Sequence, residues 1–118
     1  MKEDASHSQE VVKNVRQQDQ ATVVELAGDI DMRCSMELRG RFIEIMQAKP
    51  PLLVVNMIQV EFMDSSGLAT LVEVLQWCRR NKCQLKLVGL TGRVRSIFEI
   101  SRLESIFQIF NTEVEALA

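Results

Sequence analysis

Residues 62–68 have the sequence FMDSSGL, which places two hydroxyls and a glycine directly before a stretch of helix-periodic apolar residues. A helix that begins here presents Ser65 at its amino end, where unpaired backbone N–H groups and the helix dipole favour negative charge. A hydroxyl in that position is suited to accept a phosphate group. Asp64 and Ser65 are also common helix N-cap residues, so capping alone is the competing interpretation.

Two acidic turns are predicted to lie at the same end of a sheet. The turn GDID at residues 28–31 follows one strand candidate, and residues 64–67 follow another. In open α/β sheets, functional loops gather at the carboxyl ends of the parallel strands. Asp29 and Asp31 would then lie near Ser65 and contact a protein partner. Capping of the next helix is an equally weighted interpretation of these two aspartates.

Hydrophobic periodicity predicts the elements that position these turns. Residues 9–17 and 21–27 are strand candidates joined by a hairpin connection, and the GDID turn ends the second of them. Apolar positions 38, 42, 45 and 46 indicate a helix that ends before the two prolines at 50 and 51. The continuous apolar run 52–55 is typical of a buried central strand. Positions 68, 71, 72, 75 and 78 then indicate a second helix.

The remainder of the chain continues the alternation. Residues 84–88 and 107–110 are short strand candidates, a third helix is indicated near residues 94–101, and residues 114–118 form at most a helical remnant. This order predicts an α/β fold, with a mixed, mainly parallel sheet of four to five strands and helices packed against it. Residues 1–9 are predicted to be a flexible tail before a single domain at residues 10–118.

Charge and hydropathy argue against several kinds of partner. The formal net charge is −2, so nothing global attracts the chain to nucleic acid or to an anionic membrane. The basic cluster at residues 79–82 is interpreted as the solvated end of a helix. The longest purely apolar run, 52–55, is too short to span a membrane, and the first ten residues lack the apolar region of a secretory signal. We therefore expect a cytoplasmic protein without direct membrane contact.

The sequence does not indicate a metal site, a cofactor or catalysis. The sequence has three cysteines, Cys34, Cys78 and Cys83, and none of them are in CxxC spacing. Cys34 and Cys78 fall on apolar stripes, where a free cysteine acts as a small buried hydrophobic residue. This pattern fits a reducing compartment. The single histidine, His7, lies in the polar N-terminal tail. Ser65 as a nucleophile would need a base, and the Gly-x-Ser-x-Gly elbow is absent. An enzyme is therefore not predicted.

The motif VEFMDSSGL at residues 60–68, which follows an apolar strand and Asn56, resembles the signature of STAS domains, in particular bacterial anti-sigma factor antagonists. The GDID turn is similar to that family's Gly-x-x-Asp turn, and residues 87–99 resemble its later strand and helix. The resemblance covers residues 10–112. Ala69 and Arg102 stand where the family often has glycine. Arg102 would cost local stability if its position requires a left-handed backbone.

This resemblance implies a partner-switching regulator of transcription that is controlled by phosphorylation. In such families a serine kinase, which is also the anti-sigma factor, phosphorylates the serine after the aspartate, here Ser65. The unmodified protein binds that kinase and so releases a sigma factor, and a metal-dependent serine phosphatase resets the switch. A STAS subunit of a membrane transport complex, or of a stress-signalling assembly, is the alternative function.

The expected partner-binding set consists of Asp29, Asp31, Met63, Asp64, Ser65, Ser66 and Gly67. Ser66 is the competing hydroxyl, and its structural role would be a hydrogen bond with a backbone N–H at the helix start. Met63 and Leu68 are candidates for exposed apolar anchors, although core positions are more usual for both residue types.

Overall fold

The computed structural model describes residues 10–118, so the tail predicted at residues 1–9 lies outside the described part of the chain. Five strands and four α-helices alternate along that part. The strands are β1 (Val12–Gln18), β2 (Ala21–Ile30), β3 (Leu52–Met63), β4 (Gln84–Val88) and β5 (Gln108–Phe110). The helices are α1 (Ser35–Gln47), α2 (Ser65–Arg80), α3 (Gly92–Ile100) and α4 (Glu113–Leu117), and a 3-10 turn at Glu104–Ile106 precedes β5.

All five strands belong to one sheet, in which they lie in the order β1-β2-β3-β4-β5. The hairpin of β1 and β2 is antiparallel, whereas β2, β3, β4 and β5 run parallel to one another. Each of the parallel pairs is connected through a helix, because a crossover of this kind needs a long connection. The predicted mixed, mainly parallel α/β sheet is therefore confirmed. It has five strands, where four to five were expected.

The sheet has a large apolar core on one face and a small one on the other. Adjacent residues of a strand point to opposite faces, so Val55 belongs to the large core and Val54 to the small one. Helices α1, α2 and α3 cover the large core with the apolar stripes that the periodicity predicts. Their buried members are Leu38, Phe42, Met46, Leu68, Leu71, Val74, Leu75, Cys78, Val94 and Phe98.

Helix α4 covers the second face, so the predicted helical remnant is a docked element of the fold. Its Ala116 is fully buried within the small core. Glu113 forms an ion pair with Arg16 of β1 and accepts a hydrogen bond from Asn56 Nδ2 of β3 at 2.6 Å. Lys86 of β4 donates from Nζ to the Ala116 carbonyl at 2.8 Å. Polar contacts with three strands thus hold this short helix on the sheet.

The ends of three strands differ from the sequence-based expectation. β1 begins at Val12 rather than at residue 9, β2 continues to Ile30 instead of ending at the GDID turn, and β3 continues beyond residue 55 to Met63. Gly28 has a φ of +87°, and the register between β2 and β3 shifts at this point. Gly28 pairs with Val60 and Asp29 with Phe62, so the extra residue, Glu61, forms a bulge in β3 opposite Gly28, and β2 continues past the glycine. In β3, polar residues at positions 56, 59 and 61 conceal the continuation of the strand.

Three helices are followed by a non-glycine residue in the left-handed conformation, namely Lys49, Lys82 and Arg102, with φ of 52°, 58° and 59°. After α3, the N–H of Leu103 donates to the Phe98 carbonyl at 2.9 Å, which is the long hydrogen bond of a Schellman motif. This motif requires the left-handed conformation at residue 102. Arg102 therefore has the left-handed backbone conformation in which we expect a residue other than glycine to lower local stability.

Candidate functional site

The two acidic segments, of which the first lies at the end of β2 and the second follows β3, meet at the carboxyl end of the parallel strands, as predicted. Ile30 at the end of β2 is in register with Met63 at the end of β3, and the N–H of Asp64 donates to the Ile30 carbonyl at 3.1 Å. Asp31 and Asp64 consequently leave their strands side by side. Burial raises the pKa of the neighbouring Cys34 thiol, and the negative charges of these two aspartates raise that pKa further.

Gly67 allows the first turn of α2 to pack against the ends of β2 and β3. A Cβ atom at this residue would lie 2.7 Å from Ile30 Cγ2 and 2.8 Å from Met63 Cγ. Both distances are too short for non-bonded carbon atoms, so a larger residue would require these side chains or the helix to shift. Gly67 is buried. We therefore assign it a positioning role in the expected partner-binding set.

Asp64 is the N-cap residue of α2. Its Oδ1 atom accepts hydrogen bonds from the N–H of Ser66 at 2.9 Å and from the N–H of Gly67 at 3.3 Å. These bonds satisfy two of the backbone donors that the first turn of a helix leaves unpaired. The capping interpretation is therefore correct for Asp64, and it leaves the hydroxyl of the next residue available.

The two serines after the cap have different environments. Ser66 donates from Oγ to Asp64 Oδ1 at 2.6 Å, whereas we expected a bond with a backbone N–H. Ser65 is exposed, and within residues 10–118 its hydroxyl makes no hydrogen bond. The side chain of Asp64 accepts from the N–H groups of residues 66 and 67 but not from that of Ser65. Ser65 thus combines a solvent-exposed hydroxyl with a helix end that favours negative charge.

Asp31 is occupied by a local ion pair. Its Oδ1 accepts from the Arg33 N–H at 2.9 Å, and its Oδ2 accepts from Arg33 Nη2 at 2.8 Å. These hydrogen bonds hold the pKa of Asp31 below its ordinary value. The N-cap residue of α1 is Cys34, which makes no capping bond with its side chain. The interpretation of Asp29 and Asp31 as caps of α1 is therefore wrong, because Asp31 closes the turn before the helix and Asp29 is exposed.

The apolar residues exposed at this end of the sheet are not those that the sequence suggested. Met63 and Leu68 are each only 3% exposed, so both lie in the core and neither is an exposed anchor. Phe62, Met32 and Met36 are 43%, 77% and 85% exposed. Strand alternation requires Phe62 and Met63 to point to opposite faces, but it does not show which of the two is buried. No such signal was available for the two methionines, which follow the end of β2.

The described part of the chain also gives information on metal ligands, paired cysteines and membrane-spanning helices. Among residues 10–118, no group of three or more histidine, cysteine or acidic side chains could hold a metal ion. His7 lies outside the described residues. All three cysteines are free and buried, which confirms the interpretation of Cys34 and Cys78 as core residues. Within the same residues, none of the helices has the length and apolar content needed to cross a membrane.

The fold and the site together define a small α/β domain with an exposed serine at the amino end of a helix. The family model for the STAS domain matches residues 12–116, which is most of the chain. The chain belongs to the STAS domain family.

Individual proteins agree with this assignment. The anti-sigma-B factor antagonist of Listeria monocytogenes is 32% identical over 91 residues, which cover 76% of this chain and 79% of that protein. An anti-sigma factor antagonist from Mycobacterium paratuberculosis has the same fold, with a TM-score of 0.84, 25% identity and 92% of each chain covered. The Bacillus cell fate determinant SpoIIAA in its phosphorylated form matches with a TM-score of 0.69 at 22% identity, covering 88% of this chain and 95% of that one. The similarity to anti-sigma factor antagonists agrees with the resemblance predicted from the sequence.

Proposed function

We propose that this chain is an anti-sigma factor antagonist whose binding to its partner is controlled by phosphorylation of Ser65. The observation that carries the proposal is the environment of Ser65, an exposed hydroxyl in the first turn of α2 that the cap does not use. Membership of the STAS domain family and similarity to named antagonists support the role. The chain acts as a regulatory binding protein, and its partner supplies the catalysis.

The modifying partner is an anti-sigma factor that is also a serine kinase. It transfers the γ-phosphoryl group of ATP to Ser65 Oγ, so that the bond between the γ-phosphorus and the bridging oxygen breaks and ADP leaves. A base of the kinase accepts the hydroxyl proton. The phosphate adds about −1.5 to −2 charges. The dipole of α2 offsets part of this charge, by about 0.3–1 kcal/mol, so the fold tolerates the modification.

The same charge weakens the interface with the kinase. The partner binds the surface at this end of the sheet, which includes the exposed residues Met32, Met36, Phe62 and Asp29 and the half-buried Asp64. A phosphate within that interface must lose water, and it is repelled by the neighbouring carboxylates. Phosphorylation therefore lowers affinity without unfolding the domain. A metal-dependent serine phosphatase removes the phosphate and restores binding, and the cycle takes place in the cytoplasm without nucleic acid or membrane contact.

Phosphoryl transfer can be tested with the full chain, ATP and the cognate kinase, followed by intact mass measurement and peptide mapping. The wild type and Ser66→Ala are expected to gain one phosphate, and Ser65→Ala none. Ser66→Ala is the matched control, because it removes the neighbouring hydroxyl and keeps Ser65. A phosphate on Ser66 in the wild type would refute the assignment.

The consequence for binding requires a second measurement. By calorimetry with the kinase, Ser65→Ala is expected to bind like the unphosphorylated wild type. Ser65→Asp is expected to bind at least about tenfold more weakly, a change of about 1.4 kcal/mol. Equal affinities of the two variants would contradict control by charge. If the chain instead co-purifies with a membrane transport complex and is never phosphorylated, the transport-subunit alternative is favoured.

A further inference from the structure

The end of α2 brings two cysteines together. After the helix ends at Arg80, Lys82 adopts a left-handed conformation, and the N–H of Cys83 donates to the Cys78 carbonyl at 2.9 Å. This is the long hydrogen bond of a Schellman motif, in which side chains at these two positions commonly touch. The Cys83 thiol donates to the Gln84 carbonyl, with Sγ and the oxygen 3.4 Å apart. Both side chains are buried, with exposed fractions of 0% for Cys78 and 8% for Cys83.

The two thiols are chemically unequal. The neighbouring Cys78 thiol lowers the pKa of Cys83; burial opposes this effect, and the backbone of Leu53 adds to it. The Cys83 thiol, together with burial, raises the pKa of Cys78. Cys83 is therefore the slightly more exposed residue of the pair and the one whose thiolate is favoured. Cys34 has no such thiol neighbour, and burial is the main cause that raises its pKa.

We propose that Cys78 and Cys83 are a redox-sensitive pair that forms a reversible intramolecular disulfide when the protein meets hydrogen peroxide. The Cys83 thiolate attacks one peroxide oxygen, the O–O bond breaks, and hydroxide leaves and is protonated to water. The Cys78 sulfur then attacks the Cys83 sulfenic acid, the S–O bond breaks, and the thiol proton of Cys78 leaves with the second hydroxide as water. Two thiols lose two electrons in total, and one peroxide is reduced to two waters.

The location of the pair predicts what the cross-link would change. Cys78 follows Ser65 by 13 residues within helix α2, so the two residues lie about 20 Å apart along the helix axis at 1.5 Å per residue. The disulfide would fix the last turn of α2 to the beginning of β4, at the end of the helix away from the proposed phosphorylation site. We therefore expect slower amide exchange at residues 81–84 in the oxidised protein and unchanged phosphate acceptance at Ser65.

The test is to treat the folded full chain with hydrogen peroxide, alkylate the remaining thiols and map the peptides by mass spectrometry. The expected product is a monomer that has lost two hydrogens, is linked between Cys78 and Cys83, carries alkylated Cys34, and is restored by dithiothreitol. Cys34→Ala should form the same link, which makes it the matched control. No link in the wild type, a link through Cys34, or a link between two copies would overturn the proposal.

A second experiment identifies the attacking thiol. In Cys78→Ala, the sulfenic acid should accumulate on Cys83 and react with dimedone, whereas Cys83→Ala should give no adduct at Cys78. An adduct on Cys78 would overturn the assignment of Cys83 as nucleophile. Circular dichroism verifies that each variant is folded. If a variant is not folded, the peptide map of the wild type alone decides whether the pair forms the link.

Discussion

Replacing Asp64 tests whether one carboxylate both stabilises α2 and leaves Ser65 as the available serine. Asp64→Ala removes three hydrogen bonds to Oδ1, from the Ser66 N–H at 2.9 Å, the Ser66 hydroxyl at 2.6 Å and the Gly67 N–H at 3.3 Å. Loss of an N-cap costs about 0.5–2 kcal/mol. The interaction of the charge with the helix dipole contributes about 0.3–1 kcal/mol and overlaps with the cap. We expect the free energy of unfolding to fall by about 1–2 kcal/mol.

The same substitution should change which serine is phosphorylated. Without Asp64, the Ser66 hydroxyl loses its acceptor and becomes available to a kinase, so we expect phosphate on both serines. Asp64→Asn is the matched control, because asparagine caps helices about as well as aspartate and its oxygen can still accept from Ser66. This variant should keep most of the stability and the preference for Ser65.

Urea unfolding followed by circular dichroism measures the stability, and phosphopeptide mapping after kinase treatment measures the site preference. Two results would refute the reasoning about the cap. Asp64→Ala could prove as stable as the wild type, or Asp64→Asn could lose as much stability as Asp64→Ala. Asp64→Ala could also be destabilised and still be phosphorylated only at Ser65. In that case the choice of serine is made by the kinase and does not depend on the hydrogen bond between Ser66 and Asp64.

Three further predictions concern other parts of the fold. Arg102→Gly should raise the free energy of unfolding by about 0.5–1 kcal/mol, because glycine adopts the left-handed conformation without strain; Arg102→Ala should not, and equal urea midpoints for the two variants would contradict this. Glu113→Ala should lower stability by about 1–2 kcal/mol, because it removes an ion pair and leaves Asn56 without its acceptor; an unchanged unfolding curve would show that α4 contributes little. Arg33→Gln should raise the pKa of Asp31 towards 3.8, as measured by NMR titration. Because the pKa of Asp31 is lower in the folded state than in the unfolded state, the Asp31–Arg33 ion pair stabilises the fold at pH values above 3.8, and this stabilisation is lost as the pH falls through the folded-state pKa. If Arg33→Gln does not change the pKa of Asp31, Arg33 is not the cause of the lowered pKa.

The helices could be predicted from sequence because each covers the sheet with a single apolar stripe. In α2, residues 68, 71, 75 and 78 recur at helical spacing, and all four are buried. The strand ends could not be predicted in the same way. Gly28 lies within β2 opposite a bulge of β3, and a glycine before two acidic positions has the same sequence signal there as in a turn that ends a strand. The docking of α4 was also not predictable, because it depends on Glu113 meeting polar groups on strands that are distant in sequence.

The position of the turn that carries the site could be predicted from the sequence, but the contacts and burial of its individual side chains could not. The motif at residues 62–68 indicated the helix start and the exposed serine. It could not show that Ser66 bonds to Asp64, because aspartate and serine at a helix start have several acceptors and donors within reach. Nor could it assign Met63 to the core and Phe62 to the surface, since that choice depends on the register of β3 beyond its bulge.

The arrangement around Ser65 separates the group that would change charge from the groups that hold the turn together. Gly67 permits the close packing, Asp64 caps the helix, and Met63 anchors the strand end in the core. Ser65 takes part in none of these interactions among the described residues. A charge added to Ser65 therefore breaks no contact of the fold, while it alters the electrostatic potential of the surface that a partner would bind. This separation gives the physical reason why Ser65→Asp should retain the stability of the wild type and still lose affinity for the kinase.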